Sequence, residues 1–151
     1  MSLSLEGRVA LITGAGSGIG RSHAVLMAQR GADVILNDVN AEGLQETAAL
    51  AGKSGNRIEL LLHDVSEVQG MTRGIQVAEA SLGRIDILVN NAGVSGQRLA
   101  FDDIDEATYD RMVDINLKGS FFAIQAVLPG MKDRRYGKII NTSSMYALGG
   151  N

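Results

Sequence analysis

The sequence has no cysteine and no tryptophan, one proline and two histidines in 151 residues. Without cysteine, disulfides, thiolate metal sites and cysteine nucleophiles are all excluded. His23 and His63 stand far apart and do not resemble a metal-ligand pair, so no metal is expected. A net charge of −3 leaves no basic excess, which argues against a dedicated nucleic-acid binder. A membrane-spanning helix needs about 20 mostly apolar residues, and the apolar run from Phe121 to Leu128 is interrupted by Gln125. The opening MSLSLEGRVALITG carries no basic leader and too short an apolar run for a signal peptide. No membrane association is expected, and a cytoplasmic location is.

Glycine is in excess, 19 of 151, against an average of about 7%. No collagen-like period accompanies it, so the glycines should serve turns and close backbone contacts. Hydrophobic residues at 45% and charged residues at 21% suit an ordinary globular domain, and the length suits one domain over residues 1–151.

Short apolar runs alternate with longer helical periods. The runs are Val9 to Ile12, Val34 to Leu36, Ile58 to Leu62, Ile85 to Val89 and Lys138 to Ile140. Such runs fit strands buried on both faces of a parallel sheet. Between them, Val68, Met71, Ile75, Ala78 and Leu82 recur at helical spacing. Further helices are expected from Gly18 to Gly31, from Ala41 to about Gly52 and from about Ala107 to Lys132. The last carries two apolar stripes. One is Met112, Ile115, Gly119, Phe122 and Ala126; the other is Val113, Leu117, Ser120, Ile124, Val127 and Met131. One stripe can face the sheet, and the other needs a second helix or a second subunit. Pro129 is expected to kink or end this helix. The order βαβαβαβαβ implies an α/β fold with right-handed crossovers.

The first strand runs into Thr13-Gly14-Ala15-Gly16-Ser17-Gly18-Ile19-Gly20 and then a helix. A glycine-rich turn in that context lets the backbone approach a pyrophosphate, with the helix N-terminus supplying free N–H groups. The alternative is a tight turn with no ligand. Asp38 closes the second strand, where a carboxylate can accept from an adenosine ribose 2′-OH and would repel a 2′-phosphate. No Arg or Lys lies in Asn37 to Asn40 to offset that repulsion.

Thr13-Gly14-x-x-x-Gly18-Ile19-Gly20, Asp64-Val65, Asn90-Asn91-Ala92-Gly93, Asn116 and Ile140-Asn141-Thr142-Ser143-Ser144 occur in that order. Together they resemble the short-chain dehydrogenase/reductases from about Gly7 to the last residue. The resemblance implies a Rossmann-type doubly wound sheet of order 3-2-1-4-5. It also implies hydride transfer between a nicotinamide cofactor and a small alcohol or ketone, and Asp38 at the 2′ position makes NAD(H) the expected cofactor. Gly14, Ser17, Gly18, Ile19 and Gly20 would wrap the pyrophosphate and neighbouring ribose. Asp64 and Val65 would meet the adenine, and Asn91, Ala92 and Gly93 the riboses. Asn90 would tie the central strand to its neighbours. Asn116 would hold a relay water through its carbonyl, and Ser144 would bond the substrate oxygen. A homodimer or homotetramer paired through the long helix is implied as well.

The family's general acid, a tyrosine followed four residues later by lysine, would stand about thirteen residues past the serine. Residues four beyond Tyr109, Tyr136 and Tyr146 are Val113, Ile140 and Gly150, so no Tyr-x-x-x-Lys occurs here. The chain is therefore expected to be the front part of a longer dehydrogenase, inactive alone, with the cut in an exposed loop at Gly149-Gly150-Asn151. Two rivals are a non-catalytic nucleotide-binding module, and a methyltransferase on the same sheet, which the Asn-Asn-Ala-Gly segment opposes.

Other polar groups have structural readings. His23, in line with Ile19 and Leu26, is expected as a packed, hydrogen-bonded histidine, and His63 as a strand-end residue. Lys132 to Arg135 should be a solvated helix end, and Asp102, Asp103, Asp105 and Glu106 helix-start charge.

Overall fold

A computed structural model describes residues 4–95 and 99–144; Tyr146 and the expected cut at 149–151 fall outside them. Five strands form one sheet: β1 (Val9–Thr13), β2 (Asp33–Asp38), β3 (Ile58–Leu62), β4 (Ile87–Asn90) and β5 (Lys138–Asn141). All pairings are parallel and the order is β3-β2-β1-β4-β5. This is the doubly wound sheet that the strand–helix alternation and the resemblance implied.

Helices α1 (Gly18–Gln29) and α2 (Ala41–Ala51) cover one face; α3 (Val68–Leu82), α4 (Glu106–Val113) and α5 (Ser120–Asp133) belong to the other. Side chains alternate along β1. Ala10 and Ile12 join Ala24, Ala28 and Leu44; Val9 and Leu11 join Met71, Ile75 and Val127. Just before the start of β4, Asp86 is fully buried. Its carboxylate accepts from Arg8, Arg84 and the Val9 N–H, which satisfies a group otherwise costly to bury.

The structure corrects several expectations. Ile85 and Asp86 are buried but precede β4, which starts at Ile87. β5 is exposed along its whole length rather than buried on both faces, because it is the sheet's edge among the described residues. Ile19 and Leu26 are exposed. α1 packs instead through Gly20, Ala24 and Ala28, small residues that let the helix lie close to the sheet. His23 is half-buried, and its Nδ1 has no hydrogen-bond partner among the described residues. Arg134 is not merely solvated: it donates to Glu79 (3.2 Å) and to the Ile85 carbonyl (2.8 Å).

The last helical stretch is not uniform. A π-helical turn, Asp114–Gly119, separates α4 from α5. Across the π turn and α5 the buried positions are Ile115, Gly119, Ala123, Val127 and Met131. They step by four; Ile115 and Gly119 come from one expected stripe, Val127 and Met131 from the other, and Ala123 from neither, because the π turn shifts the register. The helix runs through Pro129 to Asp133. Asp105 caps α4 by accepting from the Thr108 N–H at 2.8 Å, as a helix-start acid should.

Candidate dinucleotide site

The order reverses at β1, whose neighbours β2 and β4 lead away in opposite directions. In open α/β sheets the crevice beyond the strand ends at such a point is where ligands bind. A cleft of about 430 Å³ lies there, within the range of small-molecule sites. Ten of the residues singled out from the sequence line it. Gly14, Ser17, Gly18 and Ile19 come from the first turn and Asp38 from the end of β2. Asp64 and Val65 follow β3, and Asn91, Ala92 and Gly93 follow β4.

The glycine turn is shaped by contacts that exclude side chains. Gly14 has φ +66°, a left-handed conformation that favours glycine. A Cβ at Gly20 would stand 2.0 Å from the Gly14 carbonyl oxygen and 2.6 Å from Asn91 Nδ2. Gly20 is buried behind the turn, outside the cleft lining. It lets the start of α1 lie against Gly14 and Asn91, the residues that follow β1 and β4. Ser17 makes no side-chain cap, and the first turn of α1 holds no acidic residue. The helix's own first turn therefore puts no carboxylate against its N–H groups, a condition that favours an anion at a helix start.

Asp38 is fixed on both oxygens. The Gly16 N–H donates to Oδ2 at 2.8 Å and the Asn40 N–H to Oδ1 at 2.9 Å. Asp64 Oδ1 accepts from the Ser66 N–H and hydroxyl. Thr13 is buried, and its hydroxyl accepts from the N–H groups of Asn91 and Ala92, both at 3.0 Å. Asn90 Nδ2 donates to Asn141 Oδ1 at 2.9 Å, linking β4 to β5.

Asn116 lies in the π turn, outside the cleft lining. Its side chain grips one backbone unit: Oδ1 accepts from the Val94 N–H and Nδ2 donates to the Val94 carbonyl, both at 2.8 Å. Its carbonyl accepts from the Ser120 hydroxyl at 3.2 Å. Ser144 is exposed beyond β5 and does not line the cleft. The structure thus gathers ten of the eleven residues expected to bind a nucleotide in one cleft, with Gly20 behind the turn; Asn116 touches the lining through Val94, and Ser144 does not line it.

Sequence reasoning missed Arg111 and Ile115, which line the cleft one turn apart. The i, i+4 spacing across α4 and the π turn was the available signal. It also missed Val39 and Val94, and read His63, a lining residue, only as a strand end.

The family profile described as short chain dehydrogenase matches residues 8–151. The chain belongs to that family. Over 149 residues it is 37% identical to the 3-oxoacyl-[acyl-carrier-protein] reductase FabG of Thermotoga maritima, covering 99% of this chain and 60% of that protein. It is 37% identical to levodione reductase of Leifsonia aquatica, covering 95% and 54%. Among solved structures, carveol dehydrogenase from Mycobacterium avium, in complex with NAD, superposes with a TM-score of 0.92 at 34% identity, covering 97% of this chain and 58% of that one. The chain therefore spans between half and two thirds of the length of these short-chain dehydrogenase relatives. No helix among the described residues is long and apolar enough to cross a membrane.

Proposed function

We propose that this chain is the dinucleotide-binding domain of an NAD(H)-dependent oxidoreductase acting on an alcohol or ketone. One observation carries the reading. A carboxylate held on both oxygens, Asp38, shares a cleft with an uncapped helix start behind a turn too tight for side chains. The fit to the cofactor rests on that geometry. The N–H groups at the start of α1 would receive the pyrophosphate. Asp38 would accept from the adenosine ribose and repel a 2′-phosphate. Asp64 and Val65 would border the adenine, and Asn91 to Gly93 the riboses.

The nicotinamide supplies the hydride chemistry when bound, and the protein supplies orientation and proton transfer. Ser144 would donate a hydrogen bond to the substrate oxygen. The Asn116 carbonyl, in the π turn, would hold a water for proton transfer beside the Ser120 hydroxyl it accepts from. NAD-bound relatives support the cofactor assignment, and curated reductases and dehydrogenases support the reaction class. Tyr109, Leu117 and Phe121 leave an exposed apolar row on α4, the π turn and α5, which supports pairing with a second copy in a homodimer or homotetramer.

The test is NADH oxidation against a panel of ketones and diketones. It compares this chain with a form extended through a downstream Tyr-x-x-x-Lys. Turnover by the extended form alone is expected, since positioned acid–base groups contribute about 10²–10⁴-fold. Robust turnover by the 151-residue chain would refute the proton-donor argument. An extended form that binds NADH and stays inert across the panel would support a non-catalytic nucleotide-binding module instead.

A further inference from the structure

A second set of contacts lies on the far side of the glycine turn, and its residues do not line the cleft. Thr47, on α2, is fully buried. Its hydroxyl lies 2.8 Å from the Ala15 carbonyl and 2.9 Å from the Gly43 carbonyl, and it accepts from Arg21 Nε at 3.0 Å. One hydroxyl proton serves the two carbonyls, while an oxygen lone pair takes the guanidinium proton. Arg21 Nη2 donates to the Gly16 carbonyl and to Glu46 Oε2. A Cβ at Gly43 would stand 2.6 Å from the Gly16 carbonyl oxygen, so α2 touches the backbone of the turn directly.

Gly16 is thereby held from both directions. Its carbonyl accepts from Arg21, and its N–H donates to Asp38. We propose that Arg21 and Thr47 are positioning residues that set discrimination at the ribose 2′ position, by holding Gly16 where it fixes the Asp38 carboxylate. The inference rests on the dinucleotide reading above. A fixed carboxylate keeps its free lone pairs aimed at the ribose diol, and that preorganisation raises affinity only for a ligand that uses it. A dinucleotide with a free 2′-hydroxyl depends on the orientation, whereas a 2′-phosphate gains nothing from it. Charge alone would act in the opposite sense. Removing the Arg21 cation should weaken binding of the more highly charged 2′-phosphate form most.

The test titrates NADH and NADPH into the full-length protein and its Arg21→Met, Arg21→Lys and Thr47→Val variants, with a thermal melt of each. Losing the charge-assisted hydrogen bond that holds Gly16, and through it Asp38, should weaken NADH binding about tenfold in Arg21→Met, and NADPH binding by less than about threefold. The NADH preference therefore narrows. Thr47→Val, nearly isosteric, should shift it the same way, and Arg21→Lys should retain most of it. Parallel losses of both nucleotides tracking a lower Tm would overturn the proposal, as would a larger loss for NADPH or no change. If Arg21→Met fails to fold, Thr47→Val decides by the same criteria. A wild-type protein that binds neither nucleotide overturns the dinucleotide reading and this inference with it; one that prefers NADH while the variants keep its preference overturns only this inference.

Discussion

Thr13 and Asn91 hold each other from both ends. The Asn91 N–H donates to the Thr13 hydroxyl, and the Asn91 side-chain amide donates back to the Thr13 carbonyl, each at 3.0 Å. The Thr13 hydroxyl also takes the Ala92 N–H. These bonds join the ends of β1 and β4 where the sheet reverses, and so fix one wall of the cleft to the other. Thr13→Val strands two backbone donors and is expected to cost about 1–3 kcal/mol, the usual penalty for unsatisfied polar groups. Thr13→Ser should retain most of the stability. Denaturant midpoints at unchanged m-value check both.

Gly20→Ala should be far worse than an ordinary helical glycine replacement. Alanine is normally the better helix former by about 1 kcal/mol, but here its Cβ would collide with the Gly14 carbonyl. Displacing α1 from the turn should abolish measurable nucleotide binding and lower stability by about 3 kcal/mol or less, the usual range for overpacking. Calorimetric titration with NADH alongside a thermal melt separates the two effects.

Asp86→Ala removes the acceptor for Arg8, Arg84 and the Val9 N–H. Because both arginines reach solvent, the loss should be about 2–3 kcal/mol, below the range for fully buried pairs. Since Asp86 lies at the start of β4, the opposite strand end from the cleft, nucleotide affinity of the folded fraction should be unchanged. Equilibrium unfolding measured with and without NADH checks both.

Hydrogen bonds from the Thr108 side chain and N–H hold the Asp105 carboxyl below the ordinary aspartate range. A lowered folded-state pKa adds stability that is complete above the unfolded value, near 4, and is lost as pH falls through the folded one. Asp105→Asn keeps an N-cap oxygen but removes the titration. The stability gap between wild type and variant should therefore shrink from pH 6 to pH 3. A gap that widens toward acid would contradict this.

The sheet was readable because each buried strand is a short apolar run ending in a polar turn. Val34 to Leu36 before Asn37-Asp38 shows the pattern. The packing of α1 was not readable, because periodicity weighs Ile19 and Leu26 above the alanines that actually touch the sheet. The π turn had no signal either. Its register shift is seen only when Ile115, Gly119 and Ala123 are found buried. Most of the cleft lining followed from the glycine turn and the strand-end residues. Arg111, from across the cleft, and the Arg21–Thr47 contacts behind the turn did not, since both depend on how helices pack rather than on local sequence.

The most direct test of the account is competitive titration of the full-length protein with NADH and NADPH, repeated on Asp38→Ala. On the proposed placement of Asp38 at the 2′ position, NADH should bind at least about tenfold more tightly, as expected for a close like-charge clash with a 2′-phosphate, and Asp38→Ala should narrow the difference. Equal or tighter binding of NADPH by the wild-type protein would contradict the account.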